Sequence, residues 1–166
     1  MGCGIGGIGG GSMMGLTCGE QLVVWSIRKI VVRQGADPDL MDDFGAVFGG
    51  KGVRGFEVFC GFFRSLGEAA RRPFEIAPPS TLHVMRDEQR ILTLLGAAQM
   101  GLDSGDYALF EAHLLWLAGR VHRPALARFA LEFAGLLAGR GHRIALAPAL
   151  ESGVEDVVPF LVSARA

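Results

Sequence analysis

The amino-acid sequence predicts a mainly α-helical protein of about six helices, arranged as two tandem three-helix repeats that each end in a short strand. Three observations predict this fold. Apolar residues recur at helical spacing in six segments, glycine or proline lies at most of their boundaries, and the second three segments follow the first three at a constant offset of 70 residues. If the two strands pair, they form a minor two-stranded ribbon.

The first predicted helix covers residues 22–34. Thr17 and Glu20 precede it at the spacing of a capping box, in which each side chain accepts a hydrogen bond from the backbone N–H of the other residue. Gly35 ends the helix, because glycine often follows a helix C-terminus.

The second predicted helix starts at Asp37-Pro38, the pattern of an N-cap followed by proline at the first helical position, and it ends at Gly49. The third covers residues 53–72, and residues 74–76 follow as the first predicted strand. The predicted core face of the third helix carries Phe56, Phe59, Cys60, Phe63 and Leu66.

The second half repeats this order. Helices are predicted over residues 87–101, from about residue 106 to Gly119, and from Pro124 onward, and residues 143–146 form the second strand. Residues 17–78 align on residues 87–148 without a gap, but identities are few, so the prediction of a repeat depends on pattern. The predicted core face of the last helix carries Leu126, Phe129, Phe133 and Leu136.

These elements divide the chain into four parts that form one compact unit. They are a flexible Gly-rich leader (1–15), a first helical repeat (16–79), a second helical repeat (80–148) and an apolar C-terminal tail (149–166). A repeat of this size is marginal alone, so the two halves are expected to pack together. The tail is rich in valine, and we expect it to dock on the body or on a partner subunit.

Composition excludes several classes of protein. Half of the residues are hydrophobic and 20% are charged, which excludes disorder of the bulk. A net charge of −1 and a pI near 6.4 argue against binding nucleic acid through bulk positive charge. Three cysteines cannot build a disulfide framework.

The expected location is the cytoplasm, without membrane contact. The first residues have neither the charged start nor the apolar core of a secretory signal. Acylation of Gly2 and Cys3 would change this expectation, but the myristoylation pattern has Ser or Thr at the sixth position, where this chain has Gly6.

One side of the first predicted helix combines aromatic, apolar and basic side chains, and it is the predicted ligand or partner surface. A tryptophan beside cations can bind an anionic or aromatic ligand, and Trp and Arg dominate the energetics of many protein interfaces. The alternative is that the tryptophan packs against the second half of the chain. The residues of this surface are Leu22, Trp25, Arg28, Lys29 and Arg33.

These features favour a non-enzymatic binding or regulatory module that acts through protein–protein contacts. No catalytic residue and no cofactor are predicted, because no spacing typical of a catalytic site is present. A small apolar or anionic ligand between the repeats is a further use of this fold. The expected partner is a second copy of the chain, as a homodimer, or another protein.

The alternative function is a metal- or thiol-dependent protein or enzyme with a site assembled from both halves. Cysteine at a helix N-terminus favours the thiolate. The histidines and cysteines do not have the close spacing of a zinc motif, so no metal is predicted, although the sequence leaves zinc or iron open. The candidate residues are Cys18, His83, His113, His122 and His142.

Overall fold

The computed structural model describes residues 12–33, 37–119 and 124–146, and its mainly α-helical architecture is as predicted. The 3-10 turn Gly49–Lys51 joins the second helix to the third without a break, so these residues form five continuous helical stretches rather than six separate helices. The helices are α1 (Cys18–Arg33), α2 (Pro38–Phe48), α3 (Gly52–Ala69), α4 (Arg86–Ser104), α5 (Ala108–Ala118) and α6 (Pro124–Gly139).

The predicted capping box and the predicted N-cap in the first half are confirmed, although α1 begins at Cys18 rather than at residue 22. The N–H of Thr17 donates to Oε2 of Glu20 at 2.7 Å, and the N–H of Glu20 donates to Oγ1 of Thr17 at 3.3 Å, which completes the capping box. Asp37 caps α2, with Pro38 as its first residue. Gly49 follows α2 with a φ of 60°, a conformation that favours glycine.

The core lies where α6 packs against α3 and α4, with α2 on α3 and α5 on α4. At its centre Phe44 of α2, Phe59 of α3 and Phe133 of α6 meet. The ring centroids of Phe59 and Phe133 are 5.2 Å apart, and those of Phe44 and Phe59 are 5.5 Å apart. Aromatic contacts at these separations stabilise a core beyond the area that they bury.

The predicted core faces of α3 and α6 are rotated. Phe62 is fully buried in α3, whereas Phe56, Cys60 and Phe63 are only half-buried, and in α6 Phe129 and Leu136 are half-buried. Gly61 of α3 is buried and faces α6. A Cβ there would lie 2.7 Å from the ring of Phe129, so the glycine lets α6 approach α3 on that side.

The two predicted strands are wrong. Residues 74–76 and 143–146 belong to no strand, and within the described ranges the β-pairing that occurs is an isolated antiparallel bridge between Ser12 and His83. Backbone N–H groups of both segments donate to side chains instead. Those of Glu75 and Ala145, for example, donate to carboxylates of Asp87 and Glu20.

The predicted repeat is not confirmed, although one pair of helices keeps the offset of 70 residues. Helix α5 lies 70 residues after α2 at both ends. However, α2 packs mainly on α3, whereas α5 packs mainly on α4, so the two halves bury different faces. Residues 12–15, predicted as part of the leader, join the fold: the N–H of Met13 donates to the carbonyl of Leu82 at 2.7 Å. The rest of the leader and the predicted tail lie outside the described residues.

Candidate functional site

The predicted partner surface on α1 separates into buried and accessible residues. Leu22 is 6% exposed and Arg28 is fully buried, so these two point into the molecule. Trp25 and Lys29 are half-buried, and Arg33 is exposed. These three follow one another at intervals of four residues, which places them along one side of the helix.

The accessible residues of α1 form a connected cluster with the start of α2. The Nζ of Lys29 lies 5.0 Å from the centre of the Trp25 ring, a cation–π contact. The same ammonium is 3.9 Å from Asp37 and 3.8 Å from Asp43, and the Nε of Arg33 is 3.1 Å from Asp37. Asp37 and Asp43 therefore compensate the charges of Lys29 and Arg33. These ion pairs hold the ammonium of Lys29 in position over the Trp25 ring.

One valine extends this cluster toward the end of α1. Val32 is 60% exposed. Because residues seven apart lie on one side of a helix, Val32 continues the line of Trp25. We call Trp25, Lys29, Val32 and Arg33 the α1 face.

Arg28 is instead the centre of a buried polar network between α1 and α4. Its Nε and Nη2 donate to the two carboxylate oxygens of Glu88, both at 2.7 Å. Its remaining donors reach the carbonyls of Thr81 and His83 in the loop before α4. Neither charged side chain is exposed to solvent. A buried ion pair of this kind requires its many hydrogen bonds to offset desolvation.

Glu88 also holds the chain that enters α4. Its carboxylate accepts the N–H of Met85 at 2.7 Å and that of Ala77 at 3.3 Å. The first of these bonds is half of a capping box, because Glu88 is the third residue of the helix. One carboxylate thus joins α1, α4 and the connection between the halves.

The neighbouring carboxylate, Asp87, is almost completely buried. It accepts hydrogen bonds from Arg72, at 2.8 Å to each oxygen, from the N–H of Glu75 at 2.8 Å, and from Arg90 at 3.4 Å. Burial acts to raise the pKa of Asp87, but the hydrogen bonds and positive charges of these partners outweigh it and hold the pKa below its ordinary value. The guanidinium of Arg90 lies 3.5 Å from the centre of the Trp116 ring.

A second polar network, formed by α1 and α4, holds the segment after α6. The N–H of Ala145 donates to Oε1 of Glu20 at 2.8 Å, and the N–H of Ile144 donates to Oε1 of Gln99 at 2.9 Å. The amide of Gln99 also donates to the carbonyl of His142 at 2.9 Å. Glu20 and Gln99 are 4% and 3% exposed, so both side chains are committed to this segment.

Among the described residues, the candidate metal and thiol side chains form no cluster that could hold a metal ion. Within residues 12–33, 37–119 and 124–146, no group of three or more His, Cys, Asp and Glu side chains is placed to hold a metal ion. Cys18 is the first residue of α1 and is disulfide-bonded. His83 is exposed and His142 is half-buried, and His122 lies outside the described ranges.

His113 is a nearly buried candidate histidine. It is 8% exposed on α5, and its Nε2 makes no hydrogen bond to the described residues. Burial lowers its pKa, because the protonated ring would lose its hydration. Burial likewise raises the pKa of the Cys60 thiol, against a smaller opposing effect of Arg64.

Sequence reasoning missed the networks around Glu88 and Gln99. Helical spacing places Arg28 at the edge of the predicted surface and does not show that it is buried. Glu88 could have been found as a helix-start carboxylate, but Met85 three residues earlier is not a typical N-cap. Nothing in the sequence marks Gln99, whose partners follow it by 35 to 45 residues.

Comparison with family models, with curated proteins and with solved structures found no match to this chain. Among the helices of the described residues, none is both long and apolar enough to span a bilayer.

Proposed function

We propose that this protein is a non-enzymatic helical module that binds a protein partner through the α1 face. The observation that carries the proposal is the half-buried Trp25 under the ammonium of Lys29, on the same side of α1 as the exposed Val32. Tryptophan anchors beside apolar neighbours are typical of the centre of protein interfaces. Ion pairs with α2 fix Lys29 and Arg33 before binding, which lowers the entropy that binding must overcome.

The positions of α4 that correspond to the α1 face contact a helix, α6. This contact supports a helix as the element that covers the α1 face. Trp25, Lys29 and Val32 correspond, at the offset of 70, to Leu95, Gln99 and Leu102. Leu95 is fully buried, Gln99 donates to the carbonyl of Ala134 on α6, and Leu102 lies close to Gly135 on α6. On α1 the position of Val32 is open to solvent.

The simplest partner is a second copy of the chain, because two identical apolar faces can cover each other across a two-fold axis. We also propose a cytoplasmic location and an internal duplication. Two similar contacts between the halves support the duplication. Arg71, which follows α3, lies beside Gly119 at the end of α5. Arg140, which follows α6, lies beside Gly49 at the end of α2.

Sedimentation velocity over a wide concentration range tests the proposed face. We expect Trp25→Ala and Val32→Asp to shift self-association to higher concentration. Val53→Asp is the matched control, because Val53 is also 60% exposed but lies on α3. If the chain is monomeric throughout, a photoreactive side chain at residue 32 should cross-link a heterologous partner. Association that Trp25→Ala and Val32→Asp leave unchanged would show that the face is wrong.

A further inference from the structure

Residues 142–146, which we call the strap, lie between the N-terminal turn of α1 and the second half of α4. Glu20 and Gln99 hold the N–H groups of Ala145 and Ile144, as described above. In addition, Oγ1 of Thr17 donates to the carbonyl of Arg143 at 3.5 Å. All these hydrogen bonds are made to backbone groups of the strap, so they do not depend on its side chains.

The strap lies in a groove between α1 and α4, and Gly96 of α4 forms the floor of this groove. Contacts at Gly96 select the side chains of the strap. A Cβ on Gly96 would lie 3.1 Å from the side chain of Leu146 and 3.4 Å from that of Ile144. Ile144 is 7% exposed, whereas Ala145 between them is exposed. The groove therefore fits an extended apolar-x-apolar sequence, with its backbone donors directed at Glu20 and Gln99.

The strap belongs to no helix or strand. It follows α6 through Gly141, whose φ of 80° gives a sharp turn. A short segment with one buried apolar side chain opens at a lower free energy than the helices around it.

We propose that the groove between α1 and α4 is a peptide-binding groove that exchanges its own strap for the strap of a second copy of this chain. Exchange replaces each contact by an identical one, so its cost is limited to opening the turn at Gly141 and to association. This groove uses Thr17, Glu20, Gly96 and Gln99, none of which belongs to the α1 face, so the inference goes beyond the proposed function and is independent of it.

Two full-length variants, each also carrying Val32→Asp so that the α1 face cannot dimerise, test the exchange when they are mixed. Ile144→Asp has an intact groove and a strap that binds poorly, and Gly96→Val has an intact strap and a blocked groove. Only a heterodimer can then place a working strap in a working groove. We expect native mass spectrometry to show the heterodimer in the mixture and no dimer of the Ile144→Asp chain alone. Its absence, with both variants folded by circular dichroism, overturns exchange with a second copy.

A peptide of the strap sequence, His-Arg-Ile-Ala-Leu, tests the groove itself. We expect saturable binding to the Ile144→Asp chain. N-methylation of the peptide at its Ile and Ala nitrogens should weaken binding at least about tenfold, because it removes two hydrogen bonds. Equal binding of both peptides, or none, overturns the groove.

Amide exchange of the unaltered chain keeps the proposal testable if Ile144→Asp does not fold. We expect the N–H groups of Ile144 and Ala145 to exchange at least about a hundredfold faster than those of α4, through local opening. Exchange of these two groups only on global unfolding would mean that the strap never leaves, and it would overturn the proposal.

Discussion

The connection between the halves and the strap leave α3 and α6 in comparable ways, yet the chain holds them with different chemistry. Two carboxylates, Asp87 and Glu88, hold the connection. They also accept hydrogen bonds from three arginines, Arg28, Arg72 and Arg90. The strap is held by one carboxylate, Glu20, and by the neutral amide of Gln99. Both replace strand pairing by bonds from backbone N–H groups to buried side chains.

This difference shows which of the two segments is held mainly by buried charges. A buried charge costs several kcal/mol to desolvate, and the cost is offset only when its geometry is fixed. The connection is fixed at both ends, so it can hold Thr81 and His83 in place for Arg28. Three of the four hydrogen bonds between the backbone of the strap and side chains of the described residues involve neutral groups, and the fourth involves Glu20.

Glu88→Ala should have the largest effect in this comparison. It leaves Arg28 buried without a counter-charge and removes the acceptor of two backbone N–H groups, so we expect a loss of about 3–5 kcal/mol in the free energy of unfolding. Urea unfolding measures it. The control is Glu57→Ala on α3, whose carboxylate is 61% exposed and should contribute at most about 0.5 kcal/mol.

A double variant sharpens this prediction. Replacing buried ion pairs with apolar residues is often neutral. Here Arg28→Met with Glu88→Leu should remain destabilised, because backbone groups lose their side-chain partners as well. These groups are the carbonyls of Thr81 and His83 and the N–H groups of Ala77 and Met85. Full recovery of stability in the double variant would show that only the charges matter.

The same comparison explains what could be predicted from the sequence. The helix starts at Thr17 and Asp37 were predictable because capping depends on residues within one turn. The strands were wrong because alternation at 74–76 and 143–146 reports an extended backbone but not its partner. The partners, Asp87 and Glu20, are 12 and 125 residues away from the N–H groups that they accept.

The candidate surface was predictable in part for the same reason. Helical spacing places Trp25, Lys29 and Arg33 on one side of α1, and the structure agrees. Spacing alone could not show that Arg28 faces Glu88, since the two are 60 residues apart. Nor could it show that Leu22 faces the core, because α1 is buried around most of its N-terminal half.

Asp87→Asn tests the charged side of the comparison through pH. Asp87 titrates below its ordinary pKa in the folded chain, so its contribution is present above the unfolded pKa of roughly 4 and is lost as the pH falls through the folded pKa. At neutral pH we expect the variant to lose about 2 kcal/mol. The difference from the unaltered chain should shrink below roughly pH 4, and urea unfolding between neutral and acidic pH measures it. A constant difference would contradict the assignment.

Glu20→Ala tests the strap in this comparison and should cost less than Glu88→Ala. It removes the acceptor of Thr17 and Ala145, with an expected loss of about 1–3 kcal/mol in the free energy of unfolding. Glu20→Gln is the matched control, because it keeps one acceptor oxygen and should retain part of this stability. A loss for Glu20→Ala as large as that for Glu88→Ala would remove the distinction between the two segments.

Arg143→Ala should have the smallest effect, although Arg143 belongs to the strap and pairs with Asp103 of α4. Both side chains are more than half exposed, at 56% and 57%, and water screens such pairs. We therefore expect at most about 0.5 kcal/mol in urea unfolding, and less in high salt. Because Glu20, Gln99 and Ile144 hold the strap from inside, amide exchange at Ala145 should be nearly unchanged. A clear acceleration there would mean that the surface ion pair, rather than the buried side chains, keeps the strap in its groove.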